Sequence, residues 1–243
     1  MLPIREVSIG AFRIRDMRYA AGCAHRRHTH EKLQISILLR GSMREDVAAR
    51  ANVVCAGDVI VKPAGVSHEN AYDGTRIICV DVDPKEIDLP LAGYAVHRLD
   101  DAVATGLRVA QRFLGGADVE DHVADLVAAL AERRVRDHKA AVRAAAMLEA
   151  SFPRNLRVSA VAQELRLHPV YLSRVFREQW GCTPREYLQR LRARAAMNRI
   201  ATTTEPLADV AHDSGFCDQA HMTRVIGRVA GLSPAVLRRL ART

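Results

Sequence analysis

This chain of 243 residues has little from which to build covalent staples or a membrane anchor. Its five cysteines, Cys23, Cys55, Cys79, Cys182 and Cys217, are odd in number, scattered, and never spaced as CxxC. That usage fits reduced thiols better than a disulfide framework. No apolar run approaches the roughly 20 residues that a membrane-spanning helix needs. The opening Met1-Leu2-Pro3-Ile4-Arg5-Glu6 lacks the apolar stretch of a signal peptide, so the expectation is a cytoplasmic location and no membrane partner. A third absence is local: residues 140–243 contain no lysine.

What is present begins with enough apolar material, 49% of residues, for a sizeable core and, at this length, two domains. Charge is unevenly divided. Residues 140–243 hold 16 Arg against 8 acidic residues, whereas residues 1–139 hold 20 basic and 20 acidic residues. The whole net charge of +8 therefore sits in the C-terminal part, as expected of a phosphate-binding footprint. Arginine suits this role because its guanidinium grips a phosphate or the O6 and N7 edge of guanine with two donors.

The C-terminal part also contains one motif written twice. Leu172-Ser173-Arg174-Val175-Phe176, Gly181 and Pro184 recur as Met222-Thr223-Arg224-Val225-Ile226, Gly231 and Pro234, at an offset of fifty. Upstream, Ala162 in Val161-Ala162-Gln163-Glu164-Leu165 pairs with Ala211 in Val210-Ala211-His212-Asp213-Ser214 at an offset of 49. The second turn must hold one extra residue. A short helix, a turn, and a second helix with a basic residue on its outer face make a helix-turn-helix, and two copies can read successive major-groove faces of double-stranded DNA. In the first copy Pro169 opens a helix. Leu172, Val175 and Phe176 then face the core, leaving Val170, Ser173, Arg174 and Arg177 outward. In the second copy Leu207, Val210 and Ala211 pack the supporting helix and Phe216 closes the turn. Gln219, Ala220, Thr223 and Arg224 face out. Arg174 and Arg224 hold equivalent places and contact either DNA or a carboxylate of their own domain. Trp180 and Tyr187 fit inter-helix packing.

Residues 5–90 look like short strands. Gln34-Ile35-Ser36-Ile37-Leu38-Leu39, Asp58-Val59-Ile60-Val61-Lys62 and Thr75-Arg76-Ile77-Ile78-Cys79-Val80-Asp81-Val82 are β-rich runs divided by glycine-containing turns, as in a sandwich or small barrel. From 100 to 133 the pattern is helical. Val103, Leu107, Ala110 and Leu114 form one stripe; after Asp118, a plausible N-cap, Val123, Leu126, Val127 and Leu130 form another. Two stripes on consecutive helices exceed what one sheet requires and suggest a homodimer interface. The alternative is a hairpin that simply covers the barrel. Arg133-Arg134-Val135-Arg136-Asp137-His138-Lys139 reads as a linker, and Ser151-Phe152-Pro153-Arg154-Asn155 breaks the helical pattern beyond it.

The β-rich region carries a histidine motif. His28 and His30 share a strand face by the period-two rule, and His68 follows Pro63-Ala64-Gly65 on another strand. Three imidazoles converging inside a barrel suit a divalent metal such as Zn, Fe, Ni or Mn. The fourth place holds Gln34, a neutral amide, so that metal would lack an anionic ligand. The other reading makes these side chains the lining of an effector pocket without metal. Cys23 and His25 are further ligand candidates or ordinary strand residues.

Both halves resemble known families. From about Ala140 to Arg238 the chain resembles the AraC/XylS transcriptional regulators. The resemblance runs through Arg192, Ala195, Ile200, Leu207, Val210-Ala211, Gly215-Phe216, Asp218, Arg224, Gly231, Pro234 and Arg238. The N-terminal part is similar to the cupin fold through Gly22-x5-His28-x-His30-x3-Gln34-x6-Gly41 and Gly57-x5-Pro63-x-Gly65-x2-His68. The resemblance implies an α+β chain: a cupin-like β-barrel over residues 1–98 that binds an effector, a helical dimerisation and linker region over 99–136, and an all-α domain with two helix-turn-helix motifs over 137–243. It implies Val170, Ser173, Arg174, Ala220, Thr223 and Arg224 as groove-facing, a small-molecule effector near His28, His30, Gln34 and His68, and RNA polymerase as partner of an activator. Departures stand out. Gln34 replaces the usual glutamate and Tyr72 the usual asparagine, while Ala220, Met222 and Ile226 replace serine and two phenylalanines. The first two argue against a metal-dependent cupin oxygenase or isomerase, the rival to a non-enzymatic regulator. Ala220 cannot hydrogen-bond a base, which implies thinner readout by the second copy.

Overall fold

The structure is a computed structural model that describes residues 3–48, 50–83, 93–99, 101–131, 138–152 and 157–242. Eight antiparallel strands come first: β1 (Arg5–Ile9), β2 (Phe12–Tyr19), β3 (Ala24–His28), β4 (Leu33–Val47), β5 (Arg50–Cys55), β6 (Val59–Lys62), β7 (His68–Val82) and β8 (Ala95–His97). Their order is β1-β2-β7-β4-β6-β8, with β3 also on β7 and β5 also on β4. The three strands read from the sequence are β4, β6 and β7.

The two long strands explain why those runs do not alternate in polarity. Leu33–Leu39 and Thr75–Val82 are buried throughout. One face of each lines the interior of the sheet: Leu38 and Ile77 join Met17, Met43, Ile60, Tyr72 and Cys79. Ile35, Ile37, Ile78 and Val80 point the other way, into a second core shared with helices. A strand covered on both faces reads as a continuous apolar run.

Helices follow: α1 (Asp101–Gly115), α2 (Glu120–Ala131), α3 (Lys139–Ser151), α4 (Val158–Glu164), α5 (Pro169–Trp180), α6 (Pro184–Thr202), α7 (Leu207–Asp213), α8 (Gln219–Ala230) and α9 (Pro234–Arg242). The Asp118 carboxylate accepts the Glu120 N–H, 3.1 Å away, at the start of α2. Most of the expected linker, residues 133–137, lies outside the described residues, as do residues 153–155 of the expected break; α3 begins and ends beside them. The stripes of α1 and α2 behave differently from the dimer expectation. Val103, Leu107, Ala110, Val123, Leu126 and Leu130 are all buried within this chain, in the core that also holds Ile37 and Val59 of the sheet. The hairpin covers the barrel, so its apolar surplus is used internally and no longer argues for a dimer.

The repeat is visible in three dimensions. Residues 165–168 separate α4 from α5 and residues 214–218 separate α7 from α8, so the second turn is one residue longer. Gly181 and Gly231 end α5 and α8 with the same left-handed φ of 68°. That is the conformation glycine adopts at helix C-termini. Pro169, Pro184 and Pro234 each open a helix. The turns differ at one position. Gly215 takes φ 80°, whereas its counterpart Arg166 takes φ 53°.

The helical part rests on the barrel. Ala193, Met197, Val210, Met222 and Val225 share one core with the sheet and α1. Leu172, Val175 and Phe176 belong to a separate core with α3 and Tyr187. Asp58, fully buried in the turn before β6, receives two 2.7 Å hydrogen bonds from Arg194 of α6. Arg76, held by Asp16 at 2.7 Å, also donates to the Leu240 carbonyl of α9. Gly57 takes φ 92°, a conformation that favours glycine, and a Cβ there would also displace the Met197 methyl group of α6, 2.4 Å away.

Two outcomes follow from this packing. Arg166→Gly relieves a left-handed side-chain clash and is expected to stabilise the chain by about 0.5–1 kcal/mol, read from the urea midpoint. Arg194→Met removes both 2.7 Å hydrogen bonds to the buried Asp58 carboxylate, leaving it the Arg98 guanidinium at 3.7 Å. It is expected to cost about 3 kcal/mol in the same assay, with Asp58→Asn/Arg194→Met costing less.

Candidate functional site

Each second helix of the repeat presents one face to solvent, and the sequence explains why. In α5, Leu172, Val175, Phe176 and Gln179 are buried at helical spacing, which turns Val170, Arg174 and Arg177 outward. Val170 is 70% exposed, unusual for a valine and unexplained by packing in this chain. His168 caps the helix, its ring nitrogen accepting the Val170 N–H at 3.3 Å. In α8, Met222, Val225, Ile226 and Ala230 are buried, so Gln219, Ala220 and Arg224 face out. Met222 and Ile226, which replace phenylalanines, therefore keep the apolar face. Ser173 and Thr223 are half-buried at the edges of these faces. Asp218 caps α8 by accepting the His221 N–H at 2.6 Å.

Arg174 and Arg224 are both exposed. Among the described residues neither is held by a carboxylate. The Arg174 guanidinium lies over the Tyr171 ring, 5.3 Å from its centroid. That stacking holds the arginine outward while leaving its donors available. Tyr171, 43% exposed, is a residue that sequence reasoning missed. Its signal was an aromatic three positions before the key arginine on a helix. By contrast, Arg238 of the family signature and the nearby Arg199 are structural. Arg238 donates to the Glu205 carbonyl at 2.6 Å, and Arg199 pairs with Glu205 and Asp213. Trp180 and Tyr187 pack against Phe176, as expected of core residues.

The second site is a cavity of about 470 Å³ inside the barrel, whose walls include His28, His30 and Gln34. His28 closes β3 and His68 opens β7, and the two face each other in register. The expectation that His28 and His30 share a strand face fails, because only His28 lies on β3. His30 lies two residues beyond the end of β3, and the Gly65 N–H to His30 carbonyl bond, 2.9 Å, ties it beside the Pro63-Ala64-Gly65 turn. All three rings still converge: their nearest ligand nitrogens lie within 4.8 Å of one another. His28 Nδ1 donates to the Arg26 carbonyl at 2.8 Å and His68 Nδ1 to the Val66 carbonyl at 3.0 Å. A carbonyl only accepts, so each Nδ1 carries the proton and each Nε2 keeps its lone pair. His68 Nε2 is buried with no hydrogen-bond partner.

Electrostatics keep the His30 and His68 rings neutral. Burial, reinforced by the Lys62 ammonium, lowers His30 to about 4 and pushes His68 down as well. Neutral imidazoles are the form that binds metal. Gln34 is buried and donates to Asp81 Oδ1 at 3.0 Å. His25 lines the cavity, reaches the Tyr72 hydroxyl at 3.4 Å, and stands outside the three-nitrogen cluster. Tyr72 stacks on Tyr19 with ring centroids 3.8 Å apart. The residues missed by sequence reasoning are Arg15 and Lys62, which bring positive charge to the cavity wall. Lys62 pairs with the fully buried Glu45 at 3.1 Å. No spacing rule reveals such a pair, because its members come from different strands.

Among the described residues, no helix is long and apolar enough to cross a membrane. Residues 161–240 match the family described as "Helix-turn-helix domain". Over 84 residues the chain is 34% identical to the arabinose operon regulatory protein of Escherichia coli K12, covering 35% of this chain and 29% of that protein. It is 32% identical over 93 residues to the HTH-type transcriptional activator RhaS of Escherichia coli O139:H28, covering 38% of this chain and 34% of RhaS. The chain thus spans about a third of the length of these relatives. ToxT from Vibrio cholerae superposes over 95% of this chain and 98% of its own, with 11% identity and a TM-score of 0.42. Residues 161–240 are accordingly a helix-turn-helix domain, similar to the matching stretches of these regulators.

Proposed function

We propose that this protein is a sequence-specific DNA-binding transcriptional regulator, acting as an activator in the cytoplasm. The observation that carries the reading is the pair of equivalent helices, α5 and α8, each with one buried apolar face and one exposed face bearing an unpaired arginine. Val170, Ser173, Arg174 and Arg177 form the first contact surface, and Gln219, Ala220, Thr223 and Arg224 the second. The arginine-only surplus of residues 140–243 supplies the sequence-independent attraction to phosphate. Base edges are then read by a few side chains. With Ala220 at an exposed place on α8, the first copy carries more of that readout. The relatives of this domain bear the names of regulators, in line with a protein that is not an enzyme.

The barrel is the sensor. Its cavity admits a small effector, and His28, His30 and His68 hold a divalent metal there. The residues fit such an ion in three respects: three converging ring nitrogens, neutral His30 and His68, and an otherwise orphaned His68 Nε2. When bound, the ion supplies a positive centre that orients an effector through its oxygen or nitrogen atoms. RNA polymerase is the partner of the activator. Two copies acting as a homodimer would have to meet through a surface other than the buried stripes of α1 and α2.

The test is binding to a pool of genomic fragments across a salt series. Wild type is expected to select a few fragments. Arg174→Ala should lose about 10- to 100-fold on those fragments and relax the preference at one base position. Arg224→Ala should lose less. Equal binding to every fragment, abolished by modest salt in wild type and variants alike, refutes sequence-specific recognition.

A further inference from the structure

The two outward-facing helices carry the same signature on their outer faces. At an offset of fifty, Val170, Ser173 and Arg174 of α5 correspond to Ala220, Thr223 and Arg224 of α8. In each copy the first member is apolar and exposed, the second bears a hydroxyl at the half-buried edge, and the third is an exposed arginine. Val170 is the second residue of α5 and is 70% exposed; Ala220 is the second residue of α8. A valine left in water forgoes the burial that such a side chain normally gains.

The first turn of a helix lying in the major groove is the part that meets base edges. Those edges present donors and acceptors, and the apolar group that projects among them is the thymine 5-methyl. Laid against a base carbonyl or amino group, Val170 would displace water and return no hydrogen bond, which is costly. Laid against the methyl group, it removes apolar surface from water on both sides. Side chains three or four positions apart lie side by side on a helix, so Arg174 reaches a base next to the one that Val170 meets. Its two-donor grip suits the O6 and N7 atoms of guanine.

We propose that Val170 and Ala220 are specificity-determining residues that read thymine by its 5-methyl group, each beside a guanine read by Arg174 or Arg224. The DNA site then consists of two like subsites. The inference rests on the reading of α5 and α8 as DNA-recognition helices and adds the base chemistry that they select. The subsites differ in strength. Val170 presents two methyl groups where Ala220 presents one. Arg174 lies over Tyr171, whereas the equivalent of that tyrosine, His221, packs edge-on against Phe216 with ring centroids 5.3 Å apart. Ala220, which cannot hydrogen-bond a base, selects by apolar contact instead.

The experiment uses the full chain and a fragment selected from the genomic pool, with binding read by fluorescence anisotropy at fixed salt. Each thymine is replaced in turn by uracil, which keeps the base pair and removes only the 5-methyl group. One replacement should weaken wild type about three- to fivefold, the worth of one buried methyl group. A second, in the other subsite, should weaken it less. Val170→Ser, a surface substitution that leaves folding intact, should bind the thymine and uracil forms of the first subsite equally and still respond to uracil in the second. At the guanine beside the first thymine, 7-deazaguanine, which lacks the N7 acceptor, should weaken wild type but not Arg174→Ala. Wild-type affinity unchanged by every uracil, or a uracil effect undiminished in Val170→Ser, overturns the inference and leaves fragment selection standing. Failure of wild type to select any fragment overturns the regulator reading itself, and this inference with it.

Discussion

The double-sided burial of β4 and β7 is the constraint on which the rest of the molecule depends. Each strand sends alternate side chains into the barrel and onto the helices, so cavity lining and structural packing are interleaved residue by residue. Gln34, Ser36 and Leu38 face inward; Ile35, Ile37 and Leu39 face the helices. On β7, Ile77 and Cys79 face inward while Ile78, Val80 and Val82 face the helices. Fully burying such an aliphatic side chain contributes about 1.5–3 kcal/mol, so this register is firmly fixed. A ligand that shifts an inward residue therefore acts one peptide bond away from the packing that seats α1 and α6.

That seating is uneven across the DNA-binding part. The second helix-turn-helix shares its apolar core with the barrel, through Met222, Val225 and Ile226. The first has its own core, built from α3, α4 and α5. Buried ion pairs reinforce the same division: Asp58 with Arg194 and Asp16 with Arg76 hold α6 and α9, the elements that flank the second copy. Buried pairs of this kind add little net stability, yet they penalise any orientation that leaves a charge unpaired. Orientation of α8 relative to α5 is thus set in part by the β-domain. Two reading heads rigidly spaced on a duplex require such a defined relation.

Much of this was legible in the chain. The duplicated motif, with its Gly181 and Gly231 caps and Pro184 and Pro234 helix starts, announced two like helices because local propensity alone fixes those features. Leu172, Val175 and Phe176 fell on the buried face for the same reason. The histidine cluster was legible in its members but not in its geometry: His30 reaches it from a loop pinned by Gly65, which period-two reasoning does not cover. The apolar stripes of α1 and α2 were correctly seen and misread in purpose, since a sequence shows that a face will be covered without showing by what.

By itself, then, the sequence determined the local elements, the outward faces of α5 and α8, and the charge asymmetry, all of which arise from neighbours within a few positions. Tertiary structure alone decided which distant charges would meet. Lys62 finds Glu45, Arg194 finds Asp58, and Arg15 finds Asp81 because strand register and helix docking bring them together. It also decided that the acids and cations around the cavity are paired with one another. The reason is physical: a contact between residues far apart in the chain is set by the global arrangement that buries the most apolar surface, and no local pattern encodes it.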